Sequence, residues 1–491
     1  MDYTADICSL AICIEENVKG ISDYADLEKA IGYSYRHMRD FFQKTARFSL
    51  SRYILARKIA NAAFEIRHSR MSITEIAFEF GFSNHDTFTR AFRRVVGMTP
   101  SAFRKSAYLC GRQLICPGVY APVIFDMANS DLIFTLRHIK EVNEMSEMRK
   151  TADSCVLYGV PKVYFGRAVD GIVQCCPFPM CLQSVLNYMG QNIGYAEIMA
   201  YSGAAFRQRW DSAGWNVGAV DIRFTYDNHL KPFELAYQGA GRRVIISENS
   251  DAPKSINKSD ALALIKSELD CGRPVIALGV VGPPEACIVT GYRDNGETLL
   301  GWSLFQDFWG GCEIDETGYF IKSNWWTETE AIMTLGEEVT HPTTDKEVLE
   351  NALMLMTTKN MPTYGERDIF YGGTAAYEAW ANALESEAFP GFEEVGNCHD
   401  DAEIMLGEGR FYASVFMDIM AKKYPELSEK FKKCAKLLKK AAEIVPAMRE
   451  IRKDKDFNDI EIRKQMAMLI RQAAKHEADA CGVLNEIIEE L

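Results

Sequence analysis

Apolar positions recur at three- and four-residue intervals through most of the first hundred residues, and two of these stretches carry the same punctuation. ISDYADLEKAIGYSYRHMRDFFQKTAR reads as a helix, a turn at Gly32-Tyr33-Ser34 and a second helix. MSITEIAFEFGFSNHDTFTRAFRRVVG repeats that arrangement around Gly81-Phe82-Ser83. In each, the glycine permits the turn and the serine is placed to cap the helix that follows. In the second copy Phe88, Phe92, Val95 and Val96 fall on one helical face. His85, Asp86, Thr87, Thr89 and Arg90 are left on the other. The intervening SLSRYILARKIANAAFEIRHS carries Tyr53, Ile54, Ala60, Ala63 and Phe64 on a helical period, which predicts a rigid spacer between the two modules.

After residue 107 the pattern changes. LICPGVYAPVIFDM and DLIFTLRHIKEV are extended or mixed, so residues 108–150 are expected to connect two domains. Over 151–338 the helices in CLQSVLNYMG and SDALALIKSELDCG precede the strand-like runs PVIALGVV, ACIVTGYRDNGETLLGWSLF and GYFIKSNWW. Turns are expected at Asp294-Asn295-Gly296 and Glu316-Thr317-Gly318, and the whole predicts an α+β domain. Residues 339–491 show helical periodicity almost throughout, which predicts a helical bundle. The expected fold is thus multidomain: an all-α head over 1–107, an α+β domain and an α-helical C-terminal domain.

Charge changes the picture. The 491 residues carry a net charge of −13, but residues 1–107 hold 16 Lys and Arg against 12 Asp and Glu, a net of +4 that leaves −17 for the remainder. Any nucleic acid is expected to meet the head, because the body repels phosphates. Two helix-turn-helix units about 34 Å apart would enter successive major grooves of double-stranded DNA from one side. The fourteen cysteines have no framework spacing, and Cys175, Cys176 and Cys181 lie near no histidine, so reduced thiols, no metal and no cofactor are expected. The start has no basic, apolar leader pattern and no apolar run reaches bilayer length, so a cytoplasmic protein with no membrane partner is expected.

The head resembles the AraC/XylS transcription regulators. The resemblance rests on ARKIANA at 56–62, ITEIAFEFGF at 73–82, FTRAFRR at 88–94 and GMTPSAFR at 97–104. In that family the helix after each glycine turn reads bases. By position it implies that Tyr35, Arg36 and Arg39 form one DNA-reading set, and Asn84, His85, Asp86, Thr87 and Arg90 the other. Asp40 stands where many relatives carry a basic residue. A carboxylate there weakens phosphate contact unless it accepts from a cytosine amino group.

A cysteine opening a helix, with strands after it, is the layout of papain-like hydrolases, and Cys181 occupies that place in the sequence. PFPMCLQSVLNYMG, GRPVIAL and ACIVTGY resemble the cysteine-peptidase-like domain of butirosin biosynthesis protein H and of bacteriocin-processing peptidases. At the slot where active members carry the basic histidine this chain has Cys287, and no histidine lies between His229 and His341. A thiol without an acceptor for its proton loses about 10²–10⁴-fold in rate. The expectation is therefore a fold without its chemistry; the alternative is a cysteine-dependent acyltransferase or peptidase with Cys181 as nucleophile and His229 or His399 approaching in space.

What fills the vacated cleft is expected to be a small-molecule effector, cationic and aromatic in character. The proposed lining is Cys181, Cys287, Trp210, Trp215, Trp302, Phe305, Gln306, Trp309, Trp325 and Trp326, since aromatic walls beside acceptors suit such a ligand. The competing explanation is that these rings simply pack the core. The helical tail is expected to cap that cleft, with Arg367, Tyr371, Tyr377 and Trp380 as a lid, or to join two chains into a homodimer.

Overall fold

The computed structural model describes residues 14, 19, 28, 34–46, 50–68, 71–96, 99–105, 148–163, 166–167, 173–249, 255–306, 313–315, 317–339, 343–362, 369–453 and 455–491. The chain divides into two compact units that interleave along the sequence. One takes residues 1–174, 187–192 and 248–332; the other takes 175–186, 193–247 and 333–491. Most of the connector expected at 108–150 lies outside the described residues, and its last three residues form the exposed strand Met148–Lys150.

In the first unit the head is built from five helices: α1 Tyr35–Ala46, α2 Leu50–His68, α3 Ile73–Glu79, α4 His85–Val96 and α5 Pro100–Lys105. The 19 residues of α2 span about 28 Å at 1.5 Å each. Its Ile59, Ala62, Ala63 and Ile66 pack with Ile76, Ala77, Phe80, Phe88 and Phe92 in one core. Ser72 opens α3 in a capping box, its hydroxyl accepting from Glu75 N while the Glu75 carboxylate accepts from Ser72 N at 2.7 Å. Arg104 on α5 closes the other end of α2: Nε donates to Ile66 O at 3.0 Å and Nη2 to Met71 O at 2.7 Å. A basic side chain over terminal helix carbonyls satisfies acceptors that the helix itself cannot.

The rest of that unit is an antiparallel sheet centred on Ala286–Arg293, flanked by Val275–Leu278 on one side and Thr298–Ser303 on the other. Phe320–Ser323 pairs with the outer edge of Thr298–Ser303, and Cys155–Leu157 pairs with the far end of the central strand. The register slips between Val289 and Gly291. Gly301 opposite is required there, since a Cβ on it would meet Ile288 O at 1.7 Å. The expected turn at Asp294-Asn295-Gly296 is present, all three residues having positive φ. Helix Lys258–Asp270, capped by Asn257, lays Ala261, Ile265 and Leu269 against the sheet.

The second unit is mainly helical. The long helix Phe392–Lys423 packs on Ser428–Ala442, and Ile460–Glu490 packs on both Ser428–Ala442 and Gly373–Glu385. Two short strands in the tail, Asn360–Pro362 and Ile369–Gly372, were not expected from its helical pattern. They form a three-stranded antiparallel sheet with Arg209–Asp211, Tyr371 standing opposite Trp210. Tyr377 and Trp380 are wholly buried in the helical core and form no lid; Arg367 lies outside the described residues. Among the described residues, no helix is long and apolar enough to cross a membrane.

Candidate nucleic-acid interface and ligand cavity

The outward face of α4 follows from what its inner face must do. Phe88 and Phe92 are fully buried, their ring centres 5.5 Å apart, with Phe82 and Phe103 packed edge-on at either end. This fixes the helix about its axis and leaves Asp86, Arg90 and Arg93 exposed, with His85 and Thr87 half-buried. The cap is one residue later than the sequence suggested. Asn84 Oδ1, not Ser83, accepts from Thr87 N at 2.8 Å, so Asn84 holds the helix start rather than standing free as a reader. Gly81 adopts φ 74°, as the turn requires. Asp86 lies in the first turn, where a carboxylate suits the helix dipole. Its Oδ1 lies 3.5 Å from His85 Nδ1, and Arg90 Nε reaches back to Asp86 O at 3.4 Å.

In α1 the matching cap is Ser34, whose hydroxyl accepts from His37 N at 3.3 Å. Met38 turns inward, while Arg36, Arg39 and Asp40 are exposed and Tyr35 is half-buried. Arg39 donates to Asp40 Oδ1 through Nε at 3.2 Å and Nη2 at 2.9 Å. The carboxylate that departs from the family pattern thus engages the neighbouring arginine, and an exposed pair of this kind is easily exchanged for a phosphate or base.

Comparison with known proteins agrees with this geometry. Residues 27–106 match a helix-turn-helix domain model. The Transposon Tn10 TetD protein of Escherichia coli is 31% identical over 104 residues, 21% of this chain and 75% of the relative. The regulatory protein SoxS of Salmonella typhimurium is 31% identical over 104 residues, 21% of this chain and 97% of its own. The HTH-type transcriptional activator AarP of Providencia stuartii is 28% identical over 100 residues, 20% of this chain and 74% of its own. The chain belongs to the AraC/XylS family of transcription regulators. These three relatives each span about a fifth of it, so the AraC-type regulator carries its helix-turn-helix head on a much longer body.

In that body the expected effector residues are shared between the two units. Cys181 is the fifth residue of helix Pro177–Tyr188 and is fully buried, so it does not open the helix. Pro177 at the first helical position was the signal, since proline is favoured there and marks the start. Cys176 stands next to that start instead; Arg207 Nη1 approaches its Sγ at 3.9 Å, and the buried Glu408 accepts from the Cys175 and Cys176 amides at 2.7 and 3.3 Å. Cys181 belongs to the second unit and Cys287, whose thiol donates to Ala277 O at 3.3 Å, to the first.

The aromatics divide likewise. Trp302 donates to Val160 O at 2.7 Å, Trp325 donates to Gly296 O at 2.8 Å, and Trp326 packs edge-on against Trp325. Gln306 accepts from Ser303 N and donates to Gly318 O, while Phe305 sits against Gly282. These polar atoms find their partners within the first unit; Trp309 lies outside the described residues. Trp210 and Trp215 belong to the second unit, where Trp210 stacks on Trp380 at 6.2 Å and meets Trp215 edge-on at 4.9 Å.

His399 is committed as well. Its Nδ1 accepts from Trp380 Nε1 at 3.2 Å and its Nε2 lies 3.2 Å from Glu403 Oε1. Burial works to raise the Glu403 carboxyl, but the His399 bond and the charges of Arg452 and Arg449 outweigh it and hold the group at about 2.

A small cleft, with room for about one water, opens in this unit between the long helix and residues 209–220, against Arg209, Trp210, Asp211, Asn216, Asp401 and Met405. Trp210 was expected in a ligand site, whereas no local pattern marks Asp401.

Proposed function

We propose that this chain is a cytoplasmic one-component regulator whose head reads double-stranded DNA and whose longer C-terminal part responds to a small molecule. The observation that carries the DNA reading is the α4 face: Asp86, Arg90 and Arg93 stand outward on a helix locked by Phe88 and Phe92. Arg90 is the proposed base reader, since an arginine fork fits the guanine O6 and N7 acceptors. Ligand binding acts by favouring one arrangement of the head, or of two chains in a dimer, over another.

The C-terminal part is proposed to keep a peptidase-like architecture without peptidase chemistry. In support, Cys181 is buried in the second turn of its helix, and His399 is buried with Nδ1 accepting from the Trp380 indole and Nε2 beside the Glu403 carboxylate. The reading is tested by selecting genomic fragments on the full-length chain and comparing wild type with Arg90→Ala. The expected result is a loss of about 1–3 kcal/mol confined to one base position. Equal loss on selected and random DNA would remove Arg90 from the reading set, and no selection of any fragment would overturn the proposal.

A further inference from the structure

Helix Ser428–Ala442 buries Phe431, Cys434, Leu438 and Ala441, which fixes it about its axis. The side left outward is basic: Lys432, Lys433, Lys436, Lys439 and Lys440 are all exposed. At 3.6 residues per turn these five fall within about 120° of arc, and the stripe from Lys432 to Lys440 runs about 12 Å along the axis. The helix carries six lysines against Glu429 alone. Of the helices packed on it, Phe392–Lys423 holds seven acidic and three basic residues, and Ile460–Glu490 six and four. Positive charge is thus gathered on one helix of an acidic body. Lys430 is held by Glu486 and Glu490, and Lys432 reaches Glu429 at 3.0 Å. Lys433, Lys436 and Lys440 make no ion pair with another described residue.

We infer that this stripe is a second DNA contact, laid along the phosphate backbone of the duplex that the head binds. A face whose only task is to meet water gains by alternating its signs, because opposite charges three or four residues apart stabilise a helix and like charges destabilise it. Here Lys432, Lys436 and Lys440 follow one another at four-residue intervals, and Lys433, Lys436 and Lys439 at three. A row of phosphates removes that repulsion, and its charges, one per about 3.4 Å of axis on each strand, are dense enough to engage several lysines at once. Lysine suits such a contact, being a point charge on a flexible stem, and phosphates carry no base identity. The inference rests on the head binding DNA: a weak contact tethered to it acts at a high effective concentration. The competing occupant is the acidic surface of a second copy of this chain.

The test uses the full-length protein and a mixed-sequence DNA duplex that extends beyond the grooves met by the head. Affinity is measured against salt for wild type, for Lys432→Gln with Lys436→Gln and Lys440→Gln, and for a control, Lys346→Gln with Lys464→Gln and Lys475→Gln, that removes three exposed lysines from other helices. Glutamine propagates a helix about as well as lysine, and thermal unfolding checks that both variants remain folded. The stripe variant should bind about tenfold more weakly at low salt, with a slope of log K against log salt shallower by up to about 2.7, while the control stays within about twofold of wild type. An unchanged slope, or an equal change in the control, would overturn the inference. Sedimentation without DNA covers the competing occupant: self-association lost in the stripe variant, with the slope unchanged, assigns the stripe to a second copy. Fragment selection separates the two proposals, since a chain that selects no sequence but keeps the slope difference loses its reading head and retains the stripe.

Discussion

Arg410 and Glu477 face each other as a fully buried ion pair, joined through Arg410 Nε and, at 2.9 Å, Arg410 Nη2. Tyr377 OH donates to the same carboxylate at 2.5 Å, and Arg410 Nη1 donates to the Ala205 and Arg207 carbonyls at 2.8 and 3.0 Å. Removing one member strands the other's charge in the core. Glu477→Gln should therefore cost about 3–5 kcal/mol in urea unfolding followed by tryptophan fluorescence. The double change Arg410→Met with Glu477→Leu should recover part of this, but not all, because two carbonyls and the Tyr377 hydroxyl lose partners. A cost below about 1 kcal/mol for the single change would deny the pair this role.

Stability should fall as pH rises from about 5 to 7. Burial pushes Asp401, beside Asp400, and Glu408 each up to about 7, Glu408 against the pull of Tyr195, the two cysteine amides and Arg207. In that window the folded chain retains protons that the unfolded chain has released, so folding weakens until both groups have ionised. The upper bound is of the order of 3 kcal/mol for each group. Glu403, held at about 2, contributes the opposite slope, but only below its unfolded range. Melting temperatures of Glu408→Gln and Asp401→Asn across this range should be flatter than wild type, and unchanged slopes would contradict the assignment.

Asn84→Ala should destabilise the head by about 1 kcal/mol through loss of the Thr87 amide cap. Binding to selected DNA should weaken without a change in preferred sequence, whereas Ser83→Ala should do neither. A changed base preference in Asn84→Ala would instead make it a reader.

Iodoacetamide on the native protein should modify the exposed Cys271 quickly and leave Cys181 and Cys287 until the chain unfolds. Mass mapping of the labelled peptides checks this. Fast, pH-dependent modification of Cys181 would favour the enzyme alternative.

The head was legible because its signals are local: a 3.6-residue period, a glycine at positive φ and a polar cap lie within a dozen residues of one another. Even so, Asn84 and Ser83 are equally good caps, and composition could not separate them by one position. Further on, the α+β strand order and the turn at 294–296 could be read from alternation and turn residues. The places of Trp210 and Trp215 could not. Their partner Trp380 and the strand Ile369–Gly372 that pairs with Arg209–Asp211 come about 160–170 residues later, and no local pattern announces such a pairing.

The carbonyls of Ala205 and Arg207 have a consequence for how the chain is made. Their donor, Arg410, follows Ala205 by 205 residues. At a synthesis rate of about 5–20 residues per second, the ribosome takes roughly 10–40 s to deliver it. The strand partner Ile369–Gly372 and Trp380 arrive first, but until the long helix follows, the segment around Arg209 and Trp210 lacks its helical cover and leaves an apolar flank open. The helix-turn-helix head, complete by residue 105, precedes all of this in the chain, so a product truncated in the body would still carry it whole.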